Sequence, residues 1–147
     1  MLRYTMNHEW INIQDETGTV GITERRLLES GDVVYIDLPE LGAVYGMMEP
    51  VGIVETREGS EFLFRSPVSG KVVAVNPNLE SEASTLNDSP EEKGWIFKIE
   101  LRDPSEVRRL MTESDYAFYE EKERSLDPYS GEDEMDEFNE SDYSLDD

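Results

Sequence analysis

Glu58 sits where a side chain would be most open to chemistry. Residues 52–70 read as strand, short polar turn, strand, with Glu58 at the tip between Arg57 and Gly59. A side chain at a hairpin tip projects into solvent, where a modifying enzyme can reach it. Attaching an acyl group there needs an amine nucleophile, and a carboxylate cannot form that amide. Residues 56–61 contain no lysine. The four lysines fall elsewhere: Lys71 after the second half of the hairpin, Lys93 in a loop, Lys98 within a strand and Lys122 on a late helix. Met47-Met48 has no adjacent lysine and reads as core or edge packing.

Other sources of chemistry are few. His8 is the only histidine, so no histidine-based metal cluster can form, and no metal site is expected. A general base needs a partner and a pocket. Glu9 is adjacent to His8, but in a strand the two point to opposite faces, which makes His8 structural. Trp10 then falls opposite Glu9, and Trp10 and Trp95 read as core. There is no cysteine, hence no disulfide, thiolate ligand or thiol nucleophile, which fits a reducing compartment. No Gly-rich phosphate loop or Gly-x-Ser-x-Gly elbow occurs. Arg25-Arg26 and Arg108-Arg109 sit in predicted helices beside acidic residues and read as intramolecular ion-pair partners. The expectation is a protein that is not an enzyme.

The elements that must position these residues are mostly strands. Trp95, Phe97, Ile99 and Leu101 alternate with Ile96, Lys98 and Glu100, a period of two that marks a strand with one buried face. Residues 33–38 and 62–64 are short apolar strands, and Val72, Val73 and Val75 are β-branched. Turn signals separate them at Glu16-Thr17-Gly18, Pro39-Glu40-Leu41-Gly42, Glu58-Gly59-Ser60 and Asn76-Pro77-Asn78. Three helices are predicted. Thr23 caps the first, Leu27 and Leu28 face inward, and Gly31 ends it. Asp103-Pro104-Ser105-Glu106 opens the second with an N-cap, a proline and a capping-box glutamate, and Val107, Leu110 and Met111 share one face. Thr112 caps the third, with Tyr116, Phe118 and Tyr119 as apolar contacts and an end near Arg124.

At 147 residues the chain fits one domain, read as 1–124, followed by an acidic disordered tail over 125–147. Net charge is −22; the tail holds ten Asp and Glu and no Lys or Arg, which leaves −12 for residues 1–124. That charge argues against nucleic acid and anionic membranes and toward a protein partner with a basic face. No apolar run is long enough to span a membrane, and no charged-then-apolar signal pattern opens the chain, so Met1-Leu2-Arg3-Tyr4 is expected to lead almost directly into the domain. Phe138 and Tyr143 in the tail could form a docking motif or belong to a solubilising extension.

Taken in order, the motifs resemble the H-protein family of the glycine cleavage system over roughly residues 1–124. His8-Glu9-Trp10 followed by Val20-Gly21-Ile22-Thr23 is similar to the family's N-terminal signature. Asp37-Leu38-Pro39-Glu40-Leu41-Gly42, Ser66-Pro67-Val68-Ser69-Gly70 and Gly94-Trp95-Ile96 are similar to later ones. Residues 52–58 resemble the hairpin that runs Gly-x-Val-Glu-Ser-x-Lys and carries lipoate on its lysine. Glu58 takes that lysine's position, and one extra residue lies between it and Pro67. The resemblance implies a mainly β fold, a flattened sandwich or barrel-sandwich hybrid of two small sheets with short flanking helices, two of them C-terminal. It also implies a polar cleft, whose positions correspond to Asn7, Glu9, Glu29 and Glu61. These read here either as a residual cleft for a cationic group or as solvated surface charge left after loss of the arm.

With Glu58 at the carrier position, the expectation is a non-lipoylated, non-catalytic interaction module with no cofactor. Its partner would be a lipoate ligase or an aminomethyltransferase-like enzyme. The alternative is an H protein that carries aminomethyl groups in glycine decarboxylation. The expected location is the cytoplasm, or the mitochondrial matrix in a eukaryote.

Overall fold

The computed structural model describes residues 1–125. The expected tail, with Phe138 and Tyr143, lies from residue 126 on outside the described residues. Two units are distinguished, Met1–Glu113 and Ser114–Asp147.

The described residues form two antiparallel sheets. Strands β1 (Leu2–Tyr4), β2 (Glu9–Gln14), β3 (Thr17–Ile22), β4 (Val33–Ile36), β5 (Val44–Tyr45), β6 (Pro50–Thr56), β7 (Glu61–Arg65), β8 (Gly70–Val75) and β9 (Phe97–Leu101) are arranged as a six-stranded sheet, β1-β2-β3-β9-β8-β5, and a three-stranded one, β4-β6-β7. Alternation explains the core. Phe97, Ile99 and Leu101 of β9, Ile11 of β2, Val20 of β3 and Val72 of β8 are buried in one cluster with Val33, Val54, Phe62 and Phe64 of the smaller sheet. The mainly β, two-sheet fold is the one expected. Gly70 marks its tightest approach: a Cβ there would lie 2.1 Å from the Glu100 carbonyl oxygen.

Helix α1 (Glu24–Ser30) begins as predicted, with the Thr23 side chain accepting from the Arg26 N–H and Gly31 closing the end at φ 95°. Leu27 is buried, but Leu28 is 78% exposed, so the expectation that both face inward is half wrong. Two adjacent positions of a one-sided helix differ by about 100°, and only Leu27 lies over the core. Asn76-Pro77-Asn78, expected as a plain turn, starts helix α2 (Pro77–Ser81): the Asn76 side chain accepts from the Asn78 N–H. Helix α3 (Thr85–Asp88) follows. Residues 104–109 form a 3-10 helix after the Asp103 cap. Helix α4 (Glu113–Ser125) starts after Thr112 as predicted and carries Lys122 5.6 Å above the Phe118 ring, although Phe118 is exposed.

The first hairpin turns earlier than expected. Asp15 and Glu16 make the turn, Asp15 at φ 57°, while Thr17 and Gly18 already pair with Gln14 and Ile13. An aspartate tolerates the left-handed region well enough to take the role the glycine was given. Ile96 is fully buried although alternation assigned it to the polar face; it precedes β9, whose alternation starts at Phe97.

Candidate functional site

The β6–β7 hairpin is built as the sequence suggests. Val54 faces Phe62 and Glu55 faces Glu61 across the ladder. Inside the tip, Gly59 donates to the Thr56 carbonyl at 3.0 Å, Thr56 donates its backbone N–H to the Ser60 carbonyl at 3.0 Å, and the two hydroxyls meet at 2.7 Å. Gly59, at φ 91°, supplies the left-handed step that closes the turn. Glu55 and Glu61 are like charges placed directly opposite, a local cost that the turn bonds must outweigh.

The tip is not free-standing. Arg57 donates its N–H to the Asp32 carbonyl at 2.8 Å, and its guanidinium meets the Asp32 carboxylate at 3.3 Å. The Glu58 carboxylate lies beside Gly31, close enough that a Cβ on Gly31 would come within 2.5 Å of it. Glu58 itself is exposed, as a tip residue should be.

The four cleft positions separate. Asn7 and Glu9 come together, with the Asn7 amide donating to Glu9 Oε2 at 2.6 Å. Glu29 is exposed and turned to Arg25, in an i,i+4 ion pair at 2.9 Å. Glu61 is exposed at the start of β7. The reading of Glu9 as solvated surface charge is corrected by the structure: it is 1% exposed. The same Oε2 accepts the Arg65 N–H of β7 at 2.8 Å, and Oε1 accepts the Thr5 hydroxyl at 2.5 Å. Glu9 thereby ties the start of β2 to the edge of the smaller sheet. Burial pushes its pKa above the ordinary carboxylate value; the hydrogen bonds from Thr5, Asn7 and Arg65 pull it back only in part. Strand alternation could not reveal this, because Glu9, Trp10 and Ile11 are all buried at the point where β2 begins between the two sheets.

Glu106 also departs from its expected role. It does not complete a capping box but accepts from the backbone N–H and the hydroxyl of Ser69, both at 2.8 Å, pinning the Ser66-Pro67-Val68-Ser69-Gly70 turn to the 3-10 helix. Its type and helical position gave no sign of a partner 37 residues away. Arg25 is ion-paired as expected, but Arg26 instead lies 4.4 Å over the Phe62 ring, with its buried Nε unbonded. Among the described residues, no group of three or more His, Cys, Asp and Glu is placed to hold a metal ion.

The model of the glycine cleavage H-protein family matches residues 2–123. The chain belongs to that family. It is 41% identical over 116 residues to a glycine cleavage system H protein of Thermotoga maritima, covering 79% of this chain and 93% of that protein. It is 44% identical over 116 residues to one from Bacillus cytotoxicus, covering 79% and 91%. A crystal structure of a glycine cleavage system H protein from Mycobacterium marinum superimposes with a TM-score of 0.75 at 31% identity, covering 82% of this chain and 96% of that one.

These likenesses overturn two expectations. A non-lipoylated interaction module and a protein without a cofactor were both inferred from one tip position, whereas the identity to H proteins runs through most of the chain, and H proteins are lipoate carriers rather than catalysts. One side chain decides where a group is attached; more than a hundred decide the fold and the surface that partner enzymes meet. The tip residues themselves do not fit the lipoyl amide, since Arg57, Glu58 and Gly59 present no primary amine.

Proposed function

We propose that this chain acts as the H protein of a glycine cleavage system, an aminomethyl carrier that moves between partner enzymes and is not itself a catalyst. The observation that supports this most is identity of 40 to 44% to H proteins across at least 115 residues, beside a family match over residues 2–123 that spans the hairpin. The geometry adds two supports. The hairpin presents an exposed tip held by Asp32 through Arg57, and Glu9 keeps β7 fixed against β2, so the tip sits on a rigid support. The partner enzymes would be the decarboxylase, the aminomethyltransferase and the lipoamide dehydrogenase, meeting this acidic chain with basic faces.

The test is to incubate the full chain with lipoate, ATP and a lipoate ligase, then to read the intact mass and map the modified peptide. The side-chain amines open to acylation are Lys71, Lys93, Lys98 and Lys122. The product is then added to the three enzymes with glycine and NAD. A gain of one lipoyl group mapped to one of these four lysines and not to the hairpin tip, and NADH formation that depends on both glycine and this chain, is the expected result. A folded chain that gains no mass and supports no glycine-dependent reduction would sink the proposal.

A further inference from the structure

The two edges of the smaller sheet are treated differently. On the β7 edge, the Asn7 amide donates to the Leu63 carbonyl at 3.4 Å and the Glu9 carboxylate takes the Arg65 N–H at 2.8 Å, so that edge is covered. On the β4 edge, one side chain stands in for a neighbouring strand. The Asn87 amide oxygen accepts the Val33 N–H at 2.9 Å, and its nitrogen donates to the Val33 carbonyl at 3.1 Å. That is the two-bond exchange a paired peptide would make. Among the described residues, that side-chain cover stops there. The Asp37 N–H bonds the Ile53 carbonyl of β6 at 2.9 Å, and alternation along the strand therefore turns the Ile36 peptide groups the other way. They face a groove of about 410 Å³ between β4 and α2, walled by Val34, Tyr35 and Leu38 on one side and Leu79, Glu80 and Ala83 on the other.

Open strand edges are sites of strand addition unless something blocks them. We propose that the β4 edge and this groove receive an extended segment of a partner protein that carries lysine or arginine side chains. Charge chooses the occupant. Glu80 lines the groove, Asp37 stands beside it holding the Tyr35 hydroxyl at 2.9 Å, and no lysine or arginine is among the lining residues. A second copy brings a charge of −22, and residues 125–147 bring ten carboxylates and no cation, so both are repelled. A basic strand gains backbone pairing at Ile36 and charge pairing at Glu80 and Asp37. The proposal is independent of where lipoate is attached, because neither a tip residue nor a lysine lines the groove.

The experiment titrates an acetylated, amidated peptide of alternating Lys and Val into the isotope-labelled full chain and follows amide chemical shifts. Saturable movement confined to residues 34–38 and 79–83 is expected. A peptide of the same charge with alternate backbone nitrogens methylated should not produce it, and Glu80→Lys, an exposed change, should weaken binding by about tenfold. Three results would each overturn the proposal: shifts scattered over the acidic surface, equal binding of the methylated peptide, or equal binding of an alternating Asp and Val peptide.

Discussion

Replacing Glu9 by glutamine removes a charge and keeps the shape, and the structure predicts a loss of stability all the same. The carboxylate receives three donors: the Thr5 hydroxyl, the Asn7 amide and the Arg65 N–H. An amide has one acceptor oxygen and an NH2. If the NH2 takes the Oε2 position, it confronts the Asn7 and Arg65 donors. If it takes the Oε1 position, it meets a Thr5 oxygen that already accepts from the Asn7 and Glu9 backbone N–H groups, both at 3.1 Å. Either orientation strands buried donors, each worth about 1–3 kcal/mol, while relief of the desolvated charge returns part of that; the net expectation is a loss of about 2 kcal/mol. For a domain of this size that lowers Tm by roughly 5–12 °C. The pH dependence is the sharper check. The folded pKa of Glu9 is raised, with burial as the largest cause. Its contribution to stability is therefore fully present below the unfolded carboxylate pKa, about 4.3, and is lost as pH rises through the folded value. Glu9→Gln lacks that term, so the gap between wild type and variant should narrow as pH rises from the unfolded value toward neutrality. Denaturant midpoints of both proteins across that window measure it. A gap that widens with pH would mean that the folded state lowers the pKa of Glu9 instead of raising it, and would refute the reasoning.

Other sites give independent checks. Glu106→Ala should cost about 2 kcal/mol by leaving the Ser69 N–H and hydroxyl unpaired, and Glu106→Gln less, since it keeps an acceptor; equal denaturation midpoints for Glu106→Ala and wild type would count against that role. Gly70→Ala should unfold the protein or cost about 3 kcal/mol or more, because its Cβ meets Glu100 backbone that cannot yield without breaking the β8–β9 ladder; a wild-type melting curve is the contrary result. Leu28→Ala should change stability by no more than about 0.5 kcal/mol, as expected of a side chain 78% exposed, and a larger loss in denaturant melts would place Leu28 in a core. The Tyr35 phenol should titrate above an ordinary tyrosine because it donates to the Asp37 carboxylate, and Asp37→Asn should bring it down; ultraviolet titration reads both, and an unchanged value in the variant contradicts the cause.

What the chain says by itself is local. Period-two alternation in residues 97–101, the β-branched run at Val72 and Val73, the Thr23 and Asp103 caps and the Gly59 turn all act within a few residues, so they can be read without a structure. Together with ordered motifs they determined the two-sheet fold and the position of the hairpin tip. Glu9, Glu106, Arg26 and Asn87 were decided only by tertiary structure. Each is polar, each looks suited to the surface, and each is placed by a partner 36 to 56 residues distant: Arg65, Ser69, Phe62 and Val33. Whether a polar side chain is solvated or satisfied inside depends on which donors the folded chain brings within 3 Å, and neither residue type nor spacing carries that distance.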